Sequence, residues 1–508
     1  MQRNTTRRYG RYFLVGFALA GRVAADAPAA PAPRRLALTE CVTHAVRHNL
    51  GLVAAGYEPK LAAEDLVLAR AAYGTDLKFE AEASEQQSSS AASELEGSSQ
   101  PTSEEQNLTA SASHKLITGT TLGVSAGLVR SETDSEYATL NPAYDADLTV
   151  NVAQPLLRGG GLAANRATLR VRELGVAHAD QVMRRRLMDV VRDTAVAYWD
   201  LAQAMGEREV RERSLAMSEE LLVQTRKKEK AGTAAAVHVL QAEAAVAAKR
   251  EAIILATQRV GDRRDALLLL MGVSDTDMLA GITVEPPGPV AGAAPDPAAS
   301  LGAAKQHEPG YLAALGELER RRTELRVAKN ERLPSLALSG AFGLSGTDAS
   351  ESDAFDSALT GDGYRWEVGL TLNVPWGLRA ENARLRKAAY RVEQAKAELA
   401  QRARALRRDV QTACRGVDAT IARVRVTRTA RELAEKHHAQ EQATFDAGLA
   451  RSRDVLDAQR DLDAARMSEL SARVDARKAH ARLRRFEGTI LSAYGLEGTE
   501  DERHPAGL

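Results

Sequence analysis

The sequence predicts a mostly α fold that is built twice and carries four to six β-strands per chain. The first observation is a repeat, because the segment 232–243 returns about 216 residues later as 448–459, with glycine, valine, leucine and alanine in corresponding places. In each copy a long stretch rich in Ala, Leu, Arg and Glu leads to a glycine, and a second such stretch follows. The second observation is that each copy is preceded by segments in which apolar and polar residues alternate, as strands do. A duplicated helical hairpin joined to strands is a rare plan that limits the possible functions.

The composition favours long helices and gives no argument for a nucleic-acid partner. Lys+Arg and Asp+Glu both number 68, so the net charge is zero, whereas nucleic-acid binding favours a basic surface. Aromatic residues make up 4%, and Ala, Leu, Arg and Glu dominate, as in long helices and coiled coils. The two cysteines, Cys41 and Cys414, both fall in helical patterns. We expect them to be small buried side chains rather than a disulfide.

Residues 1–25 predict an export signal. Four arginines precede a short apolar run at 12–21, and Val23-Ala24-Ala25 offers a small-residue cleavage site. The Pro/Ala-rich segment 26–35 reads as a linker. No later stretch approaches the ~20 apolar residues of a membrane-spanning helix. The sequence therefore predicts an exported protein without a helical membrane span.

The first structural repeat is predicted over residues 36–275. Thr39 followed by an acid marks the start of a helix that should run to about residue 72. Alternation then predicts four strands within 76–154, each about the length that a tilted strand needs to cross a bilayer. Apolar residues recurring at spacings of three and four predict a helical hairpin over 162–272, with its tip at 232.

The second repeat follows the same plan after a linker. Its rising helix, like that of the first repeat, could run for about 65 residues, or roughly 100 Å. A narrow apolar stripe on so long a helix indicates packing against neighbours on both sides. A Pro/Gly/Ala-rich mid-length (equatorial) linker is predicted at 276–306. The second repeat then covers 307–491, with a helix, two strands within 335–374 and a hairpin at 379–488 whose tip is at 448. A C-terminal tail follows at 492–508.

Candidate catalytic and metal-binding groups are weak. His44 and His48 have a suitable spacing but no evident third ligand, and His437-His438 point about 100° apart on a helix, which makes a poor chelate. The glycine-rich segment Arg158–Gly161 lacks the lysine of a phosphate loop and reads as a joint between strand and helix. No nucleophile, base or carboxylate pair stands out. The sequence therefore predicts no enzyme, no cofactor and no metal site.

Several short motifs, in their order and spacing, resemble the TolC-like outer-membrane efflux protein family (outer membrane factors) from about Leu36 to Leu491. The motifs are Leu38–Val42, Gln154–Gly159, Tyr198–Leu201, Leu270–Gly272, Arg332–Leu336 and Val374–Trp376. The resemblance implies a trimeric α/β-barrel channel, a homotrimer that shares one β-barrel in the Gram-negative outer membrane and one α-barrel in the periplasm. Strands in lipid must close into a barrel, and six strands cannot enclose a useful pore, so several chains must contribute. Members usually give four strands each, whereas an extra hairpin around 107–130 would give six here, or about 18 per trimer.

The resemblance also implies a function and a set of site residues. The chain would be the passive exit channel of a tripartite efflux or secretion system, surrounded by outer-membrane lipid, docked by a periplasmic adaptor and served indirectly by an inner-membrane pump. The adaptor-docking tips would be Ala231, Gly232, Thr233, Ala447, Gly448 and Leu449. The strand–helix joints would be Gln154, Pro155, Gly159, Gly160, Pro334 and Pro375.

The implied periplasmic aperture is lined by Asp454 and Asp457, six and nine positions after the second tip glycine. In a trimer these make six carboxylates, which should favour cations. The closed lock of the family departs here, because its acid and tyrosine positions hold His238 and Phe445. Arg451 and Arg453 are candidate replacements that would pair with acids of a neighbouring hairpin.

Three alternatives stay open at this point. The chain could be the outer-membrane component of type I protein secretion. It could be a periplasmic coiled-coil structural protein, which would explain the helices but not the strands. A metal-exporter duct would favour Met, His or Cys along its lining, and none clusters in the sequence.

Overall fold

The computed structural model describes residues 34–87, 102–134, 138–232, 235–273, 282–289, 294–361, 363–374 and 376–496. The predicted signal segment and most of the linker after it therefore lie outside the described residues, as do Thr233, Pro375 and most of the predicted tail. Within the described residues, no helix combines the length and the apolar character that a membrane crossing requires.

The described part of the first repeat consists of short helices, five strands and one very long helical hairpin. Its elements are β1 (Arg34–Leu36), α1 (Leu38–His48), α2 (Leu50–Ala55), α3 (Tyr57–Ala71), β2 (Thr75–Gln87), β3 (Thr102–Lys115), β4 (Thr121–Thr133), β5 (Ala143–Pro155), α4 (Leu162–Lys230) and α5 (Ala236–Met271). Helix α4 has 69 residues and so extends about 100 Å, as its periodicity predicts.

The described part of the second repeat follows a similar order, with three strands instead of five. Its elements are β6 (Ile282–Val284), α6 (Pro297–His307), α7 (Pro309–Glu331), β7 (Ser335–Asp348), α8 (Glu351–Thr360), β8 (Gly363–Asn373), α9 (Arg379–Asp446), α10 (Ser452–Glu487) and α11 (Ile490–Ala493). Helices α9 and α10 have 68 and 36 residues, against 69 and 36 for α4 and α5, so the duplication is preserved in the fold.

The first predicted helix is interrupted, which corrects the expectation of one helix from 39 to 72. Asn49 has an extended backbone with ψ of 113°, and its side chain accepts a hydrogen bond from the Leu52 backbone N–H at 3.0 Å. Its amide group donates to the Leu270 carbonyl of α5 at 2.8 Å. Asn49 thus caps α2 and binds α5, and both interactions favour a break at this position.

The segment 276–306, expected to be a linker, contains short regular elements at mid-length. Strand β6 pairs in parallel with β1, with Leu36 opposite Val284. The Tyr198 hydroxyl of α4 donates to the Leu36 carbonyl at 3.2 Å and accepts from the Glu285 N–H at 3.0 Å. This one phenol therefore holds both strands against the rising helix of the first repeat.

Six strands form one antiparallel sheet in the order β2-β3-β4-β5-β7-β8, so the prediction of six strands is confirmed. Its register aligns the alternating patterns of all six. One row across the sheet consists of Leu77, Ala112, Val124, Val150, Phe342 and Trp366. The next row, which faces the other way, consists of Lys78, Ser111, Ser125, Thr149, Gly343 and Arg365. The sheet therefore has one continuous apolar face and one polar face.

The apolar core lies at the middle of the helices rather than in the sheet. Leu187, Val191 and Leu201 of α4 pack there against α1, α5 and α11. Cys41 lies in this cluster and Cys414 in the corresponding cluster on α9, and both are buried and free, as expected. The apolar face of the sheet is exposed in the single chain, with Trp366 at 68%.

Candidate aperture, docking tips and joints

Both helical hairpins reverse direction through the same backbone turn. Gly232 has φ of +76° and Gly448 has φ of +80°, values that favour glycine because a side chain would be strained there. A Cβ at either glycine would meet nothing within 4 Å, so backbone conformation rather than space requires the residue. Ala231 and Ala447 precede them and donate to the carbonyls of Lys227 and Ala443 at 3.1 and 3.0 Å. The tips thus present backbone and small side chains to solvent.

The second tip also exposes a large apolar side chain. Leu449 is 84% exposed, and its N–H donates to the Thr444 carbonyl at 2.9 Å, which holds the turn together. An exposed leucine at the end of a hairpin about 100 Å from the sheet offers a contact surface. The corresponding residue of the first tip, Thr233, is outside the described residues.

The two predicted aperture acids lie in the first two turns of α10. The Asp454 carboxylate accepts from the Arg451 N–H at 3.1 Å and so caps the helix. The Asp457 carboxylate lies 2.7 Å from Nη1 of Arg460 and 3.7 Å from Nε of Arg453, both on its own helix. Exposed pairs of this kind are weak. These contacts of both acids thus lie within the second hairpin.

The two lock positions differ in their surroundings. Phe445 is buried, packed with Leu221 of the first hairpin and Val455 of the second. The Lys228 ammonium lies 3.6 Å from its ring centroid and also donates to its carbonyl. His238 is half-buried in the first turn of α5, and its Nδ1 has no hydrogen-bond partner among the described residues. Phe445 thus fastens one hairpin to the other.

At the opposite end of α4 the predicted joint residues form one hydrogen-bonded unit. The Gly159 N–H donates to the Asn330 side chain at 2.8 Å, and the Asn165 side chain donates to the Gly159 carbonyl at 3.0 Å. A Cβ on Gly160 would lie 2.3 Å from the Pro155 carbonyl oxygen, so only glycine fits. The Gln154 side chain bonds that same carbonyl at 2.8 Å.

The second repeat contributes to this joint as well. The Pro334 carbonyl accepts from the Arg158 N–H at 3.3 Å. The joint therefore connects β5, α4 and the end of α7, and it holds the helices at a set angle to the sheet.

Residues 120–273 and 301–489, more than half of the chain, match the family of outer membrane efflux proteins. The chain belongs to this family. Membership places the efflux protein in the outer membrane of a Gram-negative cell, as predicted. No curated protein is significantly similar to the chain in sequence.

Solved outer-membrane channels share the fold of this efflux protein. The outer-membrane channel OprN matches with a TM-score of 0.67 and 18% identity, over 89% of this chain and 90% of that one. VceC of Vibrio cholerae matches with a TM-score of 0.65 and 19% identity, over 89% and 96% of the chains. The CmeC channel of Campylobacter jejuni matches with a TM-score of 0.65 and 14% identity, over 92% and 89%. The predicted fold class is confirmed.

Sequence reasoning missed a polar contact between the two hairpins of the efflux protein. The Asp463 carboxylate on α10 binds the Lys249 ammonium on α5 and accepts from the Ser214 hydroxyl on α4. We call these three residues the inter-hairpin latch. One turn along, the Ser218 hydroxyl donates to the Gln459 side chain at 3.3 Å. Two serines four residues apart on the buried side of α4 are the signal that could have indicated it.

The described residues contain no group of three or more His, Cys, Asp or Glu side chains suited to a metal ion. The His44 and His48 rings contact each other with centroids 4.4 Å apart. Nδ1 of His44 lies 3.0 Å from the Met271 carbonyl oxygen. The His44 ring therefore lies against the end of α5.

Proposed function

We propose that this protein is the passive exit channel of a tripartite efflux or secretion system, assembled as a homotrimer. The observation that carries the proposal is a six-stranded sheet with one apolar face and, among the described residues, two unpaired edges, joined to two hairpins about 100 Å long. The apolar face suits lipid, and the hairpins suit a duct that reaches across the periplasm. An inner-membrane pump and a periplasmic adaptor would supply energy and substrate.

The edges of the sheet support assembly of several chains around one barrel. In the part of the chain that the structure describes, strands β2 and β8 each have a partner on one side only. Unpaired N–H and C=O groups are costly in hydrocarbon, so both edges require a partner. If β8 of one copy pairs with β2 of the next, three copies close a barrel of about 18 strands, a size that leaves an aqueous channel.

The helices support the same assembly. On α9, Val426 and Leu433 are seven residues apart and are 69% and 61% exposed. On α5, Leu240 and Ile254 are fourteen apart and are 66% and 70% exposed. Apolar side chains at heptad spacing form the seam between helices in coiled coils. These rows would therefore bury against the neighbouring subunits of the α-barrel.

The tips and their acids would form the docking and gating end. Leu449 and the small residues beside both tip glycines would contact the adaptor. Three copies of Asp454 and Asp457 would place six carboxylates around the aperture and favour cations. The aperture would open by an iris-like shift of the second hairpin, with Arg451 and Arg453 helping to hold the resting state.

Conductance in planar bilayers tests the proposal directly. The purified protein should give small, cation-selective openings, and Asp454→Asn with Asp457→Asn should enlarge the conductance and weaken the cation preference. As a control, Asp262→Asn with Asp418→Asn removes the same charge far from the tips and should change neither. Wild-type conductance and selectivity in the tip variant would show that these acids do not line the constriction. A well-folded trimer without any conductance would count against the exit channel itself.

A further inference from the structure

Helix α8, in the connection between β7 and β8, lies on the apolar face of the sheet. It packs against β7 and β5 at the end of the sheet remote from the long helices. Ala354 and Ala358 are its buried residues, and they form a cluster with Ala146 of β5, which is 1% exposed. Ala146 shares the apolar face with Leu148 and Val150, because alternate residues of a strand face the same way. The helix thus covers the outer surface of the sheet rather than its polar face.

The sequence allows this helix to approach strand β7 closely. Gly346 of β7 is opposite Ala146 in the register. A Cβ at Gly346 would lie 2.3 Å from the Ala358 nitrogen and 2.5 Å from the Ala354 oxygen. Contact between strand backbone and helix backbone is therefore possible only because residue 346 is glycine. So close an approach fixes α8 in one place.

The flanks of the helix differ in chemistry. At about 100° per residue, Phe355 and Leu359 lie on one flank, and Asp353 and Thr360 lie on the opposite one. Phe355 is 38% exposed and Leu359 is 66% exposed, although both are large and apolar. In the described part of the chain, that flank belongs to no buried apolar cluster. Family membership places the protein in the outer membrane, so an exposed apolar flank on the apolar side of the sheet can meet lipid.

We propose that α8 is an interfacial anchor whose Phe355–Leu359 flank contacts the acyl chains of the outer leaflet. Its Asp353–Thr360 flank faces water. Just beyond Ala146 the same face of the sheet turns polar, since the next row contains Arg130, Tyr144 and Asp348. The helix therefore lies where the apolar band ends, the depth at which amphipathic helices lie in a membrane. A neighbouring copy is a poorer occupant, because the alanine cluster under the helix extends to Leu128 of β4, inward from the β8 edge.

Spin labels at single introduced cysteines test the contact in the full-length protein, reconstituted into phosphatidylcholine vesicles. The native Cys41 and Cys414 are buried, and the unsubstituted protein serves as the labelling control. Leu359→Cys should be relaxed by oxygen more than by a water-soluble nickel chelate, as should Leu370→Cys on the bare apolar face. Asp353→Cys should show the reverse. A label at 359 that is as accessible to nickel as the label at 353, or shielded from both reagents by another copy, would overturn the proposal.

Two glycines on the same face of β7 provide a matched pair of second variants. Gly346→Ala forces α8 off the sheet and should remove the lipid signature of the label at 359. Gly340→Ala meets only the Glu367 carbonyl oxygen at 3.9 Å and should leave that signature unchanged. Identical signals in both backgrounds would contradict the anchoring of α8 through Gly346. The inference rests on outer-membrane location and not on conduction, so it stays testable if the channel assignment fails.

Discussion

If the protein is the proposed exit channel, the inter-hairpin latch gives the sharpest test of how it is held closed. Lys249 belongs to the first hairpin and Asp463 to the second, and their side chains are 23% and 16% exposed. Lys249→Met removes the ammonium and leaves the Asp463 carboxylate with the Ser214 hydroxyl as its remaining partner at this contact. If the second hairpin must move for the aperture to open, this variant weakens the closed state alone.

The magnitude follows from the burial of the pair. Losing a hydrogen bond to a charged, largely buried group costs about 1–3 kcal/mol, and the residual exposure of both side chains argues against a larger value. A closed state weakened by about 1–3 kcal/mol relative to the open one shifts the equilibrium about 5- to 150-fold toward open. Asp463→Asn should shift it in the same direction. The two substitutions should not add, because they remove the same contact.

Single-channel open probability in planar bilayers measures this shift. Arg250 is the matched control, since its guanidinium pairs with Glu219 within the first hairpin at 2.8 Å. Arg250→Met therefore removes a cation one residue away without affecting the contact between hairpins. If Lys249→Met opens no more often than Arg250→Met, the latch does not hold the gate. Additive effects of Lys249→Met and Asp463→Asn would likewise refute the reasoning.

Three further predictions concern stability and reactivity. Glu308 and Arg485 are 1% and 5% exposed, with Arg402 also 3.0 Å from the Glu308 carboxylate, so Glu308→Ala should lower the free energy of unfolding by about 3–5 kcal/mol in urea titrations. Burial alone would raise the pKa of Glu435, but two arginines outweigh it and hold that pKa below 4.5, so its stabilising charge should be lost as pH falls through the lowered value. Burial raises the pKa of Cys41 to about 12, so maleimide should modify it only after unfolding.

Each of these has its own control. Glu308 caps helix α7, since its carboxylate accepts from the Tyr311 N–H at 2.7 Å. Glu319→Ala removes a carboxylate from exposed pairs on that same helix, and it should cost far less than Glu308→Ala. Glu435→Gln should make the free energy of unfolding depend less on pH in the acid range. An unchanged pH dependence would show that Glu435 does not contribute to it. Modification of Cys41 in the folded protein, detected by mass spectrometry, would show that the core opens at mid-length.

The fold could be predicted from the sequence largely because its signals are local and repeated. Strand alternation predicted the sheet, and the register confirms it, since Leu77 and Trp366 end the same apolar row. The tip glycines were evident because few other residues adopt a positive φ without strain. The break at Asn49 was not, because its amide also binds Leu270 from the far end of the repeat, a contact that no local pattern contains.

The gate could be predicted only in part, for the same physical reason. The family resemblance predicts Asp454 and Asp457 as aperture acids from their distance to a tip glycine, and this stays a prediction, whereas the contacts that hold the hairpins together involve residues more than 200 positions apart. Phe445 illustrates the difference. As one residue in a helical pattern it reads as a core position, and only the fold places the Lys228 ammonium 3.6 Å from its ring centroid. Since a cation near an aromatic face stabilises the contact without needing an acid, this pair can hold the hairpins where the family's own lock residues are missing. The resting state of this channel would then depend less on carboxylate pairing than the resemblance alone implies.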